Sequence, residues 1–304
     1  MYPPEWFRWD LRPRVIKRPE WFTQWPNGAR VAVHLTIMHE WESIPRDWSP
    51  AYGRRLPPDS THKTDFLSLT YREYAFKAGV WRIMDILDRY QVKATVLTNG
   101  VAAEVWPDSI RELKRQGHEV GSHAYDQARH PVMFKTREEE QEALRKSVQA
   151  IEQATGERPY GYMSPGPRPT VHTLELLVEE GFIWAAEFLD ADIPYTIEVN
   201  GKKLVILCWM RPGLQDTNIL GFRDLARSPS EALTSLKDEF DAVYEEAAVH
   251  PMRFNYCIHT YLSGTPGAAK VFGDFIKYAK DHPGVWFATG MEQATFWLQN
   301  STQP

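Results

Sequence analysis

Four apolar runs in this chain end in side chains that can do chemistry. ARVAVHLTIM is followed by His39-Glu40-Trp41-Glu42, HEVGSHA carries Gly121-Ser122-His123, YGYMS leads into Ser164-Pro165-Gly166, and RFNYCIH ends at Ile258-His259. Taken singly, each has an ordinary explanation. A lone glutamate is usually a solvated loop carboxylate, and a histidine beside an apolar strand is often a hydrogen-bonded core residue. His118, which precedes its strand, fits the structural explanation best. Together, Glu40, His123 and His259 supply what hydrolysis of an amide requires. A carboxylate can orient or deprotonate water, an imidazole titrating near neutrality can protonate the leaving nitrogen, and backbone N–H groups or a metal can stabilise the oxyanion.

Those groups converge only if the runs are neighbouring strands. β-Branched and apolar runs at 29–38, 93–99, 118–124, 160–164, 182–188, 203–209, 253–259 and 285–289 predict strands. Helical spacing predicts helices at 72–90 (Val80, Ile83, Met84, Leu87), around 101–116, from a Thr136/Glu139 capping box to Gly156, and at 170–180, 229–248, 267–281 and 291–299. Strands alternating with helices imply parallel βαβ units, either an open doubly wound sheet or a barrel. No Gly-x-Gly-x-x-Gly or P-loop sequence supports a nucleotide-binding open sheet, so a barrel is favoured, with its active site at the C-terminal ends of the strands. Residues 1–28 read as an aromatic-rich N-terminal arm ahead of a single domain over 29–304. The Pro-rich stretch 43–70 reads as a long functional loop.

Composition narrows the function classes. The 304 residues carry a net charge of −5 without a Lys/Arg block, which argues against a nucleic-acid or membrane partner. No apolar run approaches a membrane span. The opening Met1-Tyr2-Pro3-Pro4-Glu5 lacks the basic and apolar parts of a secretory signal, giving a cytoplasmic location as the expectation. Cys208 and Cys257 sit in apolar runs and are expected to be buried free thiols rather than a disulfide framework. The 12 tryptophans, among them Trp6, Trp9, Trp21, Trp25, Trp41 and Trp48, are expected mainly to pack the core and subunit contacts, the other reading being an aromatic rim around a substrate mouth.

The run GHEVGSHAY (117–125), with Ala78-Gly79-Val80-Trp81-Arg82-Ile83 before it, resembles the polysaccharide deacetylases of the NodB-homology superfamily. The nearest branches are the metal-independent allantoinases, the cyclic imide hydrolases and the peptidoglycan-deacetylase-like proteins. The likeness extends over about residues 25–299, is most specific over 78–125, and is weaker in CIH and PGVWFAT. It implies a deformed (β/α)7 TIM-like barrel, often in a homo-oligomer.

The same resemblance implies site roles, and this chain departs from some of them. Glu40 falls at the family's acidic ligand position, while Met38 stands where many members have a base. His123 matches the first histidine of a His-x-x-x-His metal motif, Gln127 occupies the second, and His130 lies three residues beyond as a substitute ligand. Pro165 matches the third motif, and His259 matches the histidine that acts as general acid or polarises the carbonyl. Catalytic zinc wants three protein ligands, and Glu40 with His123 gives two. The implied cofactor is therefore none, or a weakly held divalent metal such as zinc.

The leading expectation is a hydrolase of a small cyclic amide, imide or ureide. In it Glu40, His123 and His259 are catalytic, and Ser164, Pro165, Arg168 and Tyr125 shape the substrate pocket. Two alternatives stand beside it: a metal-dependent N-deacetylase of polysaccharide or peptidoglycan, and a catalytically inactive barrel that binds rather than cuts, for which Met38 and Gln127 would be the marks of decay.

Overall fold

In the computed structural model, residues 17–43, 59–61, 65–221 and 227–301 are described. Most of the expected arm and of loop 43–70, including Trp6, Trp9 and Trp48, lies outside them.

Among the described residues ten strands form one sheet: β1 (Val31–His39), β2 (Thr95–Thr98), β3 (Glu119–Ser122), β4 (Gly161–Tyr162), β5 (Trp184–Ala185), β6 (Tyr195–Val199), β7 (Lys202–Ile206), β8 (Gly213–Gln215), β9 (Met252–His259) and β10 (Val285–Phe287). Their order is β6-β7-β5-β4-β3-β2-β1-β9-β8, and β10 shares an edge of β1 with β2. Every pairing is parallel except the β6–β7 hairpin. The curled sheet with its helices is the deformed (β/α)7 barrel that the resemblance implied.

The helices are α1 (Phe66–Tyr74), α2 (Val80–Tyr90), α3 (Gly100–Val105), α4 (Pro107–Arg115), α5 (Arg137–Thr155), α6 (Thr173–Glu179), α7 (Asp216–Ile219), α8 (Pro229–Glu246), α9 (Thr260–Ser263), α10 (Pro266–Lys280) and α11 (Gly290–Asn300). Three details differ from what the sequence pattern predicts. The helix expected over 101–116 is two helices, because Pro107 lacks an N–H and drives Trp106 out of helical geometry (φ −127°, ψ 47°). The Thr136 cap is half a capping box: its hydroxyl accepts from Glu139 N at 3.2 Å, but the Glu139 carboxylate turns to Lys135 N instead. β7 falls on the strand expected at 203–209, but its hairpin partner β6 is not among the predicted elements, although Asn200-Gly201, both at positive φ, is a strong turn signal.

Strand parity decides which side chains face the barrel interior. On β1, Val31, Val33, Leu35 and Ile37 pack outward with Phe254, Tyr256 and Ile258 of β9 and with α2, α8 and α10. Each such fully buried aliphatic side chain is worth about 1.5–3 kcal/mol. The alternate residues Ala32 and Met38 point inward with Leu97, Met163, Trp184, Val205, Leu207 and Cys257. Trp184 fills this interior because the neighbouring strand offers Gly161, where a Cβ would meet the indole at 2.1 Å. Phe22, Trp25 and Trp297 close the lower end by edge-to-face packing, and Trp25 Nε1 donates to Met252 O at 2.7 Å. Both cysteines are free and buried.

The inward positions near the N-terminal strand ends are polar. Arg253 donates to Cys208 O (2.6 Å), Gln293 Oε1 (2.9 Å) and His34 Nδ1 (2.7 Å). The other nitrogen of His34 must then carry the hydrogen, and it lies 2.8 Å from Thr95 Oγ1. Thr95 passes its one hydroxyl hydrogen to Glu119 Oε2 at 2.7 Å and also accepts from Gly290 N at 2.8 Å. Guanidinium and carboxylate are thus joined across four strands through an imidazole and a hydroxyl.

At the opposite end, backbone meets backbone. A five-residue π-helical turn, Ala75–Gly79, joins α1 to α2. A Cβ on Gly79 would lie 2.3 Å from Thr260 O, and one on Gly264 would lie 2.3 Å from Gly79 Cα. The segment after His259 is thereby seated directly on the segment after Arg72. No helix among the described residues is long and apolar enough to cross a membrane.

Candidate active site

The parity that turns Met38, Arg253, Asn255 and Cys257 inward also turns Glu40, His123 and His259 inward at the C-terminal rim. Glu40 follows the last residue of β1. The chain beyond it is pinned by Asn99, whose Oδ1 accepts from Trp41 N at 2.9 Å and whose Nδ2 donates to Trp41 O. Asp126 fixes the next turn by accepting from Ser43 N at 3.0 Å and from the Ser43 hydroxyl. Glu40 is buried, and its Oε2 lies 3.3 Å from His123 Nε2.

His123 is set by its other nitrogen. Met163 O lies 2.8 Å from Nδ1 and can only accept, so Nδ1 carries a hydrogen and Nε2 faces Glu40. A hydrogen bond between Nε2 and Oε2 therefore requires one proton shared by the pair. Burial pushes the Glu40 carboxyl up. The His123 hydrogen bond and the charges of His259, His123 and Arg72 outweigh it and hold the carboxyl at about 2.

His259 ends β9. Its ring Nδ1 lies 2.7 Å from Asp216 Oδ1, and its main-chain N–H donates to Asp216 Oδ2 at 2.6 Å. Ser263 Oγ donates to the same Oδ2 at 2.7 Å. Burial disfavours the imidazolium, but the charge and hydrogen bond of Asp216, with the charge of Glu40, win and raise the His259 pKa above the ordinary 6.5. Its Nε2 is left for a ligand, and Tyr261 flanks the ring at 5.3 Å.

Arg72 enters from α1. Its NH1 lies 3.5 Å from Glu40 Oε1 and its Nε 3.1 Å from Glu42 Oε1, while the guanidinium carbon stands 4.6 Å over the Tyr261 ring. Glu42 is buried, with Oε2 lacking a donor among the described residues. Burial raises its carboxyl pKa, and repulsion from Glu40 and Asp126 adds to this against the pull of Arg72.

The remaining expected residues lie further out or support the rim. Ser164 is buried, and its N and Oγ both donate to Glu187, whose carboxyl burial drives up to about 7. Arg168 is exposed; its main-chain N donates to Ser164 Oγ at 2.8 Å. Pro165 is buried and its carbonyl is held by His130 Nδ1 at 2.6 Å. Tyr125 turns away to Glu104 (3.2 Å) and lines, with Ser43, Asp126, Arg129 and Phe134, a neighbouring cavity of about 290 Å³. Met38, at the family's base position, is core. His39 bonds Thr260 Oγ1 and Ser109 Oγ, and burial lowers it to about 3, so it is a neutral structural histidine.

The donor set does not fit a catalytic zinc. Glu40 and His123 are two ligands, His130 is turned to Pro165, Gln127 offers only an amide oxygen, and a guanidinium occupies the flank of Glu40. No group of three or more His, Cys, Asp or Glu among the described residues could hold a metal ion.

Sequence reasoning does not single out Asp216, Arg72 or Glu187. Glu187 stands at the end of an expected strand and follows the same strand-end rule as His259. Arg72 reads as the first turn of an amphipathic helix. Asp216 lies in a stretch without periodicity, and only the pairing of β8 beside β9 brings it to His259.

This barrel, with an acid and two imidazoles on its C-terminal rim, resembles that of the polysaccharide deacetylases. Residues 59–182 match the family described as Polysaccharide deacetylase. A peptidoglycan deacetylase of Helicobacter pylori is 25% identical over 287 residues, 84% of this chain and 92% of that protein. A probable polysaccharide deacetylase from Pseudomonas aeruginosa PAO1 superposes with a TM-score of 0.82 at 26% identity, covering 96% of this chain and 100% of that one. The PuuE allantoinase gives 0.80 at 27% identity, covering 96% and 98%. The chain is thus a hydrolase of carbon–nitrogen bonds other than peptide bonds.

Proposed function

We propose that the chain hydrolyses a small cyclic amide, imide or ureide without requiring a divalent metal. The observation that carries this reading is the donor set: Glu40 faces His123 directly, Arg72 supplies positive charge beside them, and no third ligand converges among the described residues. The similarity to the PuuE allantoinase agrees with it.

In this reading a water lies against Glu40 and His123. With its carboxyl at about 2, Glu40 stays ionised across the physiological range and is a weak base, so its chief task is to orient that water. The water oxygen bonds to the carbonyl carbon while the Glu40–His123 pair takes its proton. The C–N bond then breaks, and the nitrogen takes the Nε2 proton of His259, which Asp216 keeps available at neutral pH. Backbone groups near Ser164 and Pro165 bound the pocket.

The similarity to the Helicobacter pylori peptidoglycan deacetylase supports a second reading, N-deacetylation of a sugar polymer. A hydrolysis screen of allantoin, hydantoins, succinimide, glutarimide and N-acetylglucosamine oligomers, with and without chelator, separates the two. Turnover of a cyclic substrate that survives chelation is expected. Turnover of the oligomers alone, abolished by chelator, would replace the first reading by the second.

A further inference from the structure

Arg72 reaches the catalytic cluster from α1, away from the strand ends that supply Glu40, His123 and His259, and ion-pairs with Glu40 and Glu42 there. We infer that Arg72 is the built-in cation of this site: it holds Glu40 against His123 and keeps divalent metal out of the pair.

The geometry argues for this in three ways. The guanidinium is buried and spans two carboxylates, NH1 reaching Glu40 Oε1 at 3.5 Å and Nε reaching Glu42 Oε1 at 3.1 Å. It occupies one oxygen of Glu40 while His123 occupies the other at 3.3 Å, so both oxygens of the carboxylate are already matched to positive or hydrogen-bearing partners. Its position is fixed from behind: the ring of Tyr261 lies 4.6 Å beneath it, Tyr71 lies 5.6 Å from Tyr261, and the turn that follows α1 abuts Thr260 through Gly79. An arginine held this way cannot swing aside to admit a second cation, and like charges in a buried site repel strongly because little water screens them. The full charge of Arg72 also persists at every pH of interest. Gln127 fits the same account, since a site that excludes the ion has no use for a second imidazole.

Without Arg72, the carboxylates of Glu40 and Glu42 would have no counter-cation between them, and a divalent ion would be attracted to the vacated place rather than repelled from it. The charge of the site would then pass from the protein to an ion.

The test uses the full chain stripped with EDTA, as wild type, Arg72→Lys, Arg72→Gln and Arg72→Met, with folding checked by circular dichroism. Zinc alone is titrated in competition with a chromogenic chelator. The Met and Gln variants are expected to bind zinc at least about tenfold more tightly than wild type, and Lys to remain close to wild type, because charge repulsion is what they differ in. Stoichiometric sub-micromolar zinc in the wild type would overturn the inference without any variant being needed, and equal zinc affinity in all folded forms would overturn it too. The positioning half rests on the amidohydrolase reading. On the amide the screen identifies, Arg72→Met should lower kcat by about 100-fold with KM little changed, and Arg72→Lys should recover part of the loss. A rise in KM alone would make Arg72 a substrate-binding residue instead. If wild type turns over no amide, that reading fails and the positioning half falls with it, while the zinc titration still decides the exclusion of metal.

Discussion

Asp216 grips His259 twice, accepting from its main-chain N–H at 2.6 Å and from its ring Nδ1 at 2.7 Å. The two bonds fix the ring's tautomer and orientation together, leaving Nε2 as the ring nitrogen not engaged by Asp216.

Replacing Asp216 by Asn removes the charge but keeps the shape. The pKa of His259 is raised in the native protein, so its acid form is full at low pH and is lost as pH rises through that raised value. In Asp216→Asn, burial and the charge of Arg72 act with only Glu40 opposing them, and the alkaline limb of the kcat/KM profile should move to lower pH. An unmoved limb would show that another group titrates there.

His259→Ala should cost turnover by a factor of about 100 or more, since it removes the proton donor to the leaving nitrogen. The ring is also the partner of the buried Asp216 carboxylate, so the melting temperature should fall, and circular dichroism must show the variant folded at the assay temperature. A fully active variant would remove His259 from the catalytic set and leave another group as the proton donor.

Much of this site is legible in the amino-acid sequence. Glu40, His123 and His259 each end an apolar run, and alternation along a strand is enough to place them on one face. Their partners are not legible, for identifiable reasons. Asp216 depends on β8, three residues long, lying beside β9, and no local pattern announces such a pairing. Arg72 lies on α1, whereas the apolar stripe that periodicity detects falls on α2 beyond the π-helical turn, so the polar residue aimed at the site carries no signal of its own. The strands expected at 182–188 and 160–164 are two residues each, because the pairing partner, which sequence does not display, decides where a ladder stops. At the cofactor, the unmatched Gln127 is visible in the sequence, whereas the guanidinium beside Glu40 is not.

Glu187 gives a pH signature in stability rather than activity. Its folded pKa, about 7, lies above the ordinary 4.5, so the folded state holds this proton more tightly than the unfolded chain. The stability this provides is present in acid and is lost as pH rises from about 4.5 through 7, by roughly 3 kcal/mol. Urea titrations should show that decline in wild type and a flatter profile in Glu187→Gln. A matching decline in the variant would assign it to other groups.

Thr95→Val changes one atom's chemistry and almost no volume. It strands the Nε2–H of His34 and the N–H of Gly290 without an acceptor and takes a donor from Glu119. With buried polar groups left unpaired, a loss of about 3 kcal/mol or more is expected, measured as a lower urea midpoint. A loss under about 1 kcal/mol would mean that water enters and replaces the hydroxyl.

Gly79 and Gly264 bring the main chains beyond Arg72 and His259 into direct apposition, with no side chain between them to serve as a shim. The gauge between the cation and the proton donor is therefore cut in backbone. Pocket walls built from side chains can be trimmed or padded to suit a new substrate, but this spacing cannot be adjusted in small steps, so diversification of the scaffold is steered toward the loops around the catalytic pair rather than toward the pair itself.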